Sequence, residues 1–262
     1  MEFEGRKKLF SAIIGSCNYN LNVKSSDKDY KVFVIPTFDD LYFGKKFKKF
    51  YAGDLEDLDC HDMRKISDLL WKSNPNFIEV LYSKDLRINN NLSNETKDIL
   101  RNIFKNRDEF AKMNLPYLYK ACISIYLESV KTLDVGTKHT KYLIDKYGYN
   151  TKQAMYSIRI LDFLRRFANS NFNDFEFAIR YDDNDDFREL LLDIRNGLYS
   201  KAQYTNIATN LLNEIERDFK DIYLNQTPNE KANISLINMI KRIIKIEAIE
   251  VDNGKEWNIN KI

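Results

Sequence analysis

The chain of 262 residues contains little glycine or proline and carries almost no net charge. Its 8 glycines and 4 prolines are too few for a collagen-like or low-complexity protein. Its 44% hydrophobic and 13% aromatic residues exclude an intrinsically disordered chain. The formal charge of +2 is the balance of 41 basic and 39 acidic residues. The protein as a whole therefore has no strong positive electrostatic field that would attract nucleic acid. An anion-binding site must therefore be local.

Cysteine is also scarce, and long apolar runs are missing. The three cysteines, Cys17, Cys60 and Cys122, are widely spaced and form no CxxC pair, which is typical of reduced cytosolic thiols. Residues 1–8 have no apolar core of signal-peptide length, and no run approaches the roughly 18 apolar residues of a membrane helix. We expect a cytoplasmic protein that has no membrane partner.

The sequence pattern changes along the chain from mixed to almost wholly helical. A β-branched and aromatic run at residues 30–35, stopped by Pro36, predicts a strand. From Ser93 onward nearly every segment has helical periodicity. The prediction is an α+β protein with a small mixed-sheet domain, residues 1–112, followed by a larger helical domain, residues 113–262. Weaker strand patterns are found at residues 50–52 and 55–61.

Two helices carry clear start signals. Asn150 with Gln153 predicts a capping pair that opens a helix ending near Ala168. Thr227, followed by proline and then by Glu230, predicts the N-cap of the last helix.

A short stretch near the amino end combines residue types that suit phosphate and metal chemistry. An apolar segment runs into Gly15 and Ser16, where glycine permits close backbone approach and serine offers a hydroxyl and an N–H to a phosphate. Asp27 and Asp29 follow on a predicted extended segment. Because residues i and i+2 of a strand point the same way, these two carboxylates can share one divalent cation. Oxygen ligands suit Mg²⁺, with Mn²⁺ as an alternative.

A third carboxylate is available in the acidic segment that follows. If this segment is extended, Asp57 and Asp59 share one face, and either can complete the cluster. His61 has the same parity as Asp59. The two histidines, His61 and His139, have no metal-ligand partner at useful spacing, so a zinc site is not expected. Glu79 is expected to organise the helix in which it lies rather than to take part in chemistry.

These motifs resemble those of a known family. An apolar segment, Gly-Ser, a spacer of ten residues, Asp-x-Asp and a later strand aspartate form the pattern of the DNA polymerase β-like nucleotidyltransferase superfamily. The chain departs from the family at Asn20, where glycine is usual, although asparagine tolerates the left-handed conformation. The resemblance covers about residues 9–200 and extends to the predicted nucleotidyltransferases of bacteria and phages, including the RNA-ligase-associated branch. It is carried by residues 15–21, 26–29, 59–65, 74–81 and 148–159.

The resemblance implies transfer of a nucleoside monophosphate from a nucleoside triphosphate to an acceptor hydroxyl, with loss of pyrophosphate. Asp27 and Asp29 would hold the metal ions that bridge the triphosphate, and Ser16 would contact its β- or γ-phosphate. The third aspartate would orient or deprotonate the attacking hydroxyl; the family pattern favours Asp59, and Asp57 stays open as the alternative. RNA, a protein and a small molecule all remain open as acceptor.

A second group of candidate residues lies in the helical part. Lys152, Tyr156 and Arg159 follow one another at i, i+4 and i+7, which predicts one helical stripe on the side away from Ala154 and Ile158. A lysine and an arginine on either side of a tyrosine would clamp a triphosphate and stack a base. The alternative interpretation is a solvated cationic face.

Two other functions compete with catalysis. One is a non-catalytic binding or inhibitor protein on a nucleotidyltransferase scaffold, encoded by a phage and directed at a host factor. The other is RNA binding by the helical part, which predicts a salt-sensitive positive patch. That patch would contain Lys138, Lys141, Lys146, Lys152 and Arg159.

Overall fold

The computed structural model of the protein describes residues 3–24, 26–53, 56–138 and 140–250, with side chains up to residue 248. It confirms the predicted α+β class, because a five-stranded mixed sheet lies in the first part of the chain and the later part is mostly helical. No helix within these ranges is both long and apolar enough to cross a lipid bilayer.

The sheet has the strand order β3-β4-β2-β1-β5. Strands β2 and β4 are parallel, and the other neighbours are antiparallel. The carboxyl end of β1 therefore lies beside the amino ends of β2 and β4, and all three meet at one end of the sheet. The strands are β1 (Lys8–Ile14), β2 (Lys28–Val34), β3 (Lys48–Tyr51), β4 (Glu56–Asp62) and β5 (Leu86–Ile88).

Short helices connect these strands, and polar side chains begin several of them. The Thr37 hydroxyl accepts the Asp40 N–H at 3.2 Å, and the Asp40 carboxylate accepts the Thr37 N–H at 3.1 Å, which completes a capping box. The Asn74 side chain caps the helix that begins at Pro75 by accepting the Asn76 N–H at 3.0 Å. These elements are α1 (Gly15–Tyr19), α2 (Phe38–Tyr42), α3 (Lys65–Trp71), α4 (Pro75–Ile78) and a 3₁₀ turn (Glu79–Tyr82).

The later part contains ten α-helices among the described residues, two of which continue into π-helical turns. They are α5 (Asn94–Lys105), α6 (Arg107–Ala111), α7 (Leu115–Lys131), α8 (Lys141–Tyr147), α9 (Thr151–Asn169), α10 (Phe175–Ile179), α11 (Asp186–Arg195), α12 (Lys201–Glu214) with the turn Ile215–Phe219, α13 (Lys220–Leu224), and α14 (Glu230–Ile244) with the turn Lys245–Glu250.

The two predicted helix starts have different outcomes. The cap of α9 is confirmed, since the Asn150 side chain accepts the Gln153 N–H at 3.1 Å. The N-cap predicted at Thr227 is wrong: Asn229 caps α14 and accepts the Ala232 N–H at 3.1 Å. The main-chain N–H of Asn229 also donates to the Met113 carbonyl at 2.7 Å, and this contact fixes where the helix begins.

One face of the sheet is covered by helices and the other carries a smaller apolar cluster. Phe10 and Phe33 pack on the covered face with ring centroids 4.9 Å apart, against side chains of α3, α5 and α14. Val32 and Val34 belong to the opposite face. The main core runs on into α7 and α9, so the sheet and the helical part share buried side chains across the predicted boundary at residues 112–113.

Candidate active site

Two aspartates stand side by side where β2 and β4 begin. Asp29 is the register partner of Asp57 in this parallel pair, and Lys31 is the partner of Asp59. Because side chains of a strand alternate between faces, all four point to the helix-covered face that Phe33 also occupies. Both Asp29 and Asp57 are half-buried, and the exposed Asp27 lies directly before β2.

The shift in the pKa of Asp29 shows which charged groups lie near its carboxylate. Burial raises the pKa of Asp29, Lys152 lowers it, and the carboxylates of Asp57 and Asp27 raise it further. A group of like charges therefore collects at this end of the sheet, with the exposed ammonium of Lys152 brought to it from α9. We refer to Asp27, Asp29 and Asp57 as the carboxylate cluster.

The Gly-Ser turn lies directly against this cluster. Ile14 at the end of β1 is the register partner of Asp29, and the backbone then turns through Gly15 with a φ of 68°. A Cβ atom at Gly15 would lie 3.3 Å from Oδ2 of Asp29, so any side chain there would press on the carboxylate. Ser16 follows at the start of α1 and is half-buried.

The second candidate for the third carboxylate, Asp59, is engaged by basic side chains. Its Oδ2 accepts from Nζ of Lys31 at 3.0 Å and lies 2.7 Å from Nε2 of His61. Although burial opposes ionisation, these two neighbours hold the pKa of Asp59 well below its ordinary range. Asp57, by contrast, accepts the main-chain N–H of Gly53 at 3.2 Å. The structure thus brings Asp57, rather than Asp59, next to Asp29.

Glu79 holds the Gly-Ser turn from behind, a role that the sequence reasoning missed. It is 2% exposed, and its Oε2 accepts the Gly15 N–H at 3.0 Å. Burial raises the pKa of Glu79, whereas Tyr19, Arg159 and the Gly15 N–H lower it. Only three-dimensional contact reveals this role, because Glu79 and Gly15 are 64 positions apart. We refer to Glu79, Tyr19 and Arg159 as the Glu79 network.

The predicted stripe on α9 is divided between the surface and the interior. Arg159, which the periodicity places on the side away from Ala154 and Ile158, is 2% exposed, and its guanidinium lies 4.0 Å from the ring centroid of Tyr19 and 4.9 Å from that of Tyr156. The alternative of a solvated cationic face is wrong for Arg159, because α9 contacts α7, α10, α11 and α12 and is covered on several sides. Tyr156 is half-buried and donates to Oδ1 of Asn76 at 2.8 Å. Nucleotide binding by Lys152, Tyr156 and Arg159 stays a prediction.

Three arginines of the helical part fix the segment between the Gly-Ser turn and Asp27. Each donates to a main-chain carbonyl of that segment: Arg180 to Asn18 at 3.1 Å, Arg188 to Asn20 at 2.7 Å and Arg195 to Leu21 at 2.8 Å. Asn20 adopts the left-handed conformation, with a φ of 65°, as its residue type allows. The path of the chain toward Asp27 is thus set by the helices that follow the sheet.

The donor set at the carboxylate cluster fits a hard divalent cation. Within the described ranges, no three His, Cys, Asp or Glu side chains stand ready to hold a metal ion by themselves. Mg²⁺ does not require such a cage, because it usually binds one or two carboxylates together with waters and substrate phosphates. Adjacent oxygen ligands from Asp29 and Asp57 meet this requirement for Mg²⁺ or Mn²⁺ when a triphosphate supplies the rest.

Comparison with known proteins leaves function to be argued from these residues. No protein-family model matches the chain, and no curated protein matches its sequence at a significant level. The resemblance to the nucleotidyltransferase superfamily therefore stays a prediction.

Proposed function

We propose that this protein is a metal-dependent nucleotidyltransferase, which transfers a nucleoside monophosphate from a nucleoside triphosphate to an acceptor hydroxyl. The observation that carries the proposal is the pairing of Asp29 with Asp57 on one face, against the Gly15 turn. This arrangement supplies carboxylate oxygens for a cation and, beside them, a turn with little side-chain bulk. The nearby ammonium of Lys152 adds positive charge for a triphosphate.

The residues of the site have distinct roles in this reaction. Asp27, Asp29 and Asp57 would hold Mg²⁺, which when bound neutralises the triphosphate and the leaving pyrophosphate. The acceptor oxygen forms a bond to the α-phosphorus as the bond to pyrophosphate breaks. Asp57 would orient that hydroxyl and accept its proton. We assign this role to Asp57 because Asp59 is already paired with Lys31 and His61.

We place the activity in the cytoplasm. Cys17, Cys60 and Cys122 are all free thiols in the structure, and Cys60 and Cys122 are buried. Free thiols of this kind persist in a reducing compartment. Their state in protein purified from cells, measured by thiol alkylation before any reduction, tests this placement.

Transfer of labelled nucleotide tests the enzymatic proposal. Purified protein, Mg²⁺ and cell extract are incubated with a nucleoside triphosphate labelled in either the α- or the γ-phosphate. We expect the α-label to enter an acceptor and the γ-label to leave with pyrophosphate, and we expect Asp27→Asn with Asp29→Asn to abolish transfer of the α-label. The matched control is Asp98→Asn with Asp221→Asn, two exposed carboxylates on α5 and α13. Absence of transfer, or transfer that survives the first pair of substitutions, contradicts the proposal.

A further inference from the structure

Exposed aromatic rings and lysines are concentrated in the segment that runs from α2 into the edge strand β3. Four of the seven large aromatic side chains that are most exposed among the described residues lie within residues 38–50. Tyr42 is 74% exposed, Phe43 62% and Phe50 59%, so these rings contribute little to the core. The aromatic–lysine surface is defined by Tyr42, Phe43, Lys45, Lys46, Lys48 and Phe50.

The rings and the positive charges are interleaved. The Tyr42 and Phe43 rings meet edge to face with centroids 5.0 Å apart, and Nζ of Lys45 lies 5.3 Å from the Phe43 centroid. Burial lowers the pKa of Lys65, and the charges of Lys48 and Lys46 lower it further, whereas Asp62 and Asp59 raise it, so Lys46 and Lys48 both lie near Lys65. Lys46 pairs with Asp68 at 3.1 Å, but both are exposed, and a phosphate can replace such a partner.

This surface leads toward the carboxylate cluster. Strand β3 is one of the two edge strands, and its Lys48 and Phe50 are the register partners of His61 and Asp59 on β4. Lys48 and Phe50 therefore share the face of Asp57. Since adjacent strands lie about 5 Å apart, β3 is roughly 10 Å from the strand that carries Asp29. The surface begins at α2, beyond the far end of β2, and follows β3 toward the end where β4 begins.

We propose that the aromatic–lysine surface binds a single strand of nucleic acid, whose terminal hydroxyl then reaches the carboxylate cluster as acceptor. Bases stack on exposed rings while lysines contact the phosphates, which is how sequence-tolerant single-strand binding works. Protein interfaces are instead depleted of lysine, so the composition of this surface favours nucleic acid over a protein partner. The acceptor role rests on the proposed function, whereas the binding does not.

Fluorescence anisotropy with labelled RNA and DNA single strands of about 12 nucleotides tests the binding, because such surfaces cover up to about 16 nucleotides. We expect Tyr42→Ala with Phe43→Ala to weaken binding of the preferred strand at least about tenfold, from loss of stacking. The matched control is Tyr117→Ala, an exposed tyrosine on α7 with Lys120 beside its ring. No binding of either strand, or equal losses in the two variants, would overturn the proposal.

The salt dependence of binding tests the lysines separately from the rings. Substituting Lys45, Lys46 and Lys48 by glutamine removes three phosphate contacts. Because each contact to a single strand contributes about 0.7 to the slope of log affinity against log salt, that slope should fall by about 2. An unchanged slope contradicts the assignment of these lysines.

The catalytic variant separates this inference from the proposed function. Asp27→Asn with Asp29→Asn should bind the strand at least as tightly as the parent protein, because it removes negative charge and leaves the aromatic–lysine surface intact. Strand binding without label transfer would support the surface and count against the enzyme. Label transfer to a protein, without strand binding, would overturn the surface and leave the enzyme standing.

Discussion

The carboxylate cluster and the Glu79 network both border the Gly-Ser turn, and they differ in the charges that surround their carboxylates. Asp29 and Asp57 stand next to each other, half-buried, and Asp27 adds a further like charge. Glu79 is deeply buried, yet the Gly15 N–H, Tyr19 and Arg159 all favour its charged form. The fold thus compensates charge where it supports the turn and crowds like charges together where we propose that a cation binds.

This difference predicts that substitutions in the two regions will have separable effects. Carboxylates that repel one another destabilise the folded protein, so removing one should cost activity rather than stability. A buried charge that loses its counter-charge destabilises the fold strongly. The following variants test this separation, beginning with the largest expected effect.

Asp29→Asn should have the largest effect of any single substitution on activity. We expect label transfer to fall roughly 10³-fold, since a metal-binding carboxylate supports several kcal/mol of charge stabilisation in the transition state. Thermal stability should stay equal or rise, because the repulsion from Asp57 and Asp27 is relieved. A variant that melts several degrees lower and keeps its transfer rate would show that Asp29 has a structural role and does not bind the metal.

Arg159→Met should have the largest effect on stability. The substitution removes the guanidinium that favours the charged form of the buried Glu79 and leaves near it Lys31, which is paired with Asp59. We expect a loss of about 3 kcal/mol in the free energy of unfolding, measured in urea. Lys152→Met is the matched control, since it removes a positive charge from an exposed position of the same helix. The control should stay within about 0.5 kcal/mol of the parent. Similar stability losses in both variants would contradict the claim that the Glu79 network, unlike the carboxylate cluster, supports the fold.

Asp57→Asn and Asp59→Asn sharpen the comparison to two positions on one strand. The Asp57 variant should lose label transfer roughly 10²-fold while keeping its stability. The Asp59 variant should keep transfer within about tenfold but lose about 1–2 kcal/mol of stability, because Lys31, whose side chain is 8% exposed, loses its partner. The reverse pattern in transfer assays and urea unfolding would make Asp59 the third carboxylate.

Asp40 lies outside both regions, and its substitution should have the smallest effect on stability. That effect should also depend on pH. Nε and Nη2 of Arg6 each donate a hydrogen bond to the Asp40 carboxylate at 2.7 Å. The Arg6 guanidinium lowers the pKa of Asp40, although burial opposes this, and the Thr37 N–H lowers the pKa further. The stability that the Arg6–Asp40 pair gives the fold is therefore present above the unfolded pKa of Asp40, about 3.9, and is lost as the pH falls through the lower folded pKa. Asp40→Asn should cost about 1 kcal/mol at neutral pH. Urea unfolding should show this difference shrinking below about pH 4, and a constant difference would contradict it.

Much of the framework could be predicted from local sequence. The β-branched and aromatic run of β2 and the Asn150 cap of α9 are local signals, and the structure confirms both. The three-residue strand β5 carries no pattern of its own, because its pairing with β1 defines it. The parity of the acidic segment places Asp57 and Asp59 on one face, but only the register of β4 against β2 sets Asp57 beside Asp29.

The supporting side of the site was harder to predict, for physical reasons. Helical periodicity placed Arg159 opposite the apolar face of α9, but that rule assumes one solvated side, and α9 is covered on several sides. The bond from Gly15 to Glu79 depends on how the segment after α4 folds back under β1. Contacts of this kind are products of tertiary packing and have no local signature.

The most direct test of the central claim is a crystal structure with Mn²⁺ and a non-hydrolysable nucleoside triphosphate analogue, because the anomalous signal of Mn²⁺ locates the metal. The proposed function predicts Mn²⁺ within coordination distance of Asp29 and Asp57, with the triphosphate between the Gly15 turn and Lys152. Metal and triphosphate bound elsewhere, or Asp59 leaving Lys31 and His61 to ligate the metal in place of Asp57, would contradict it.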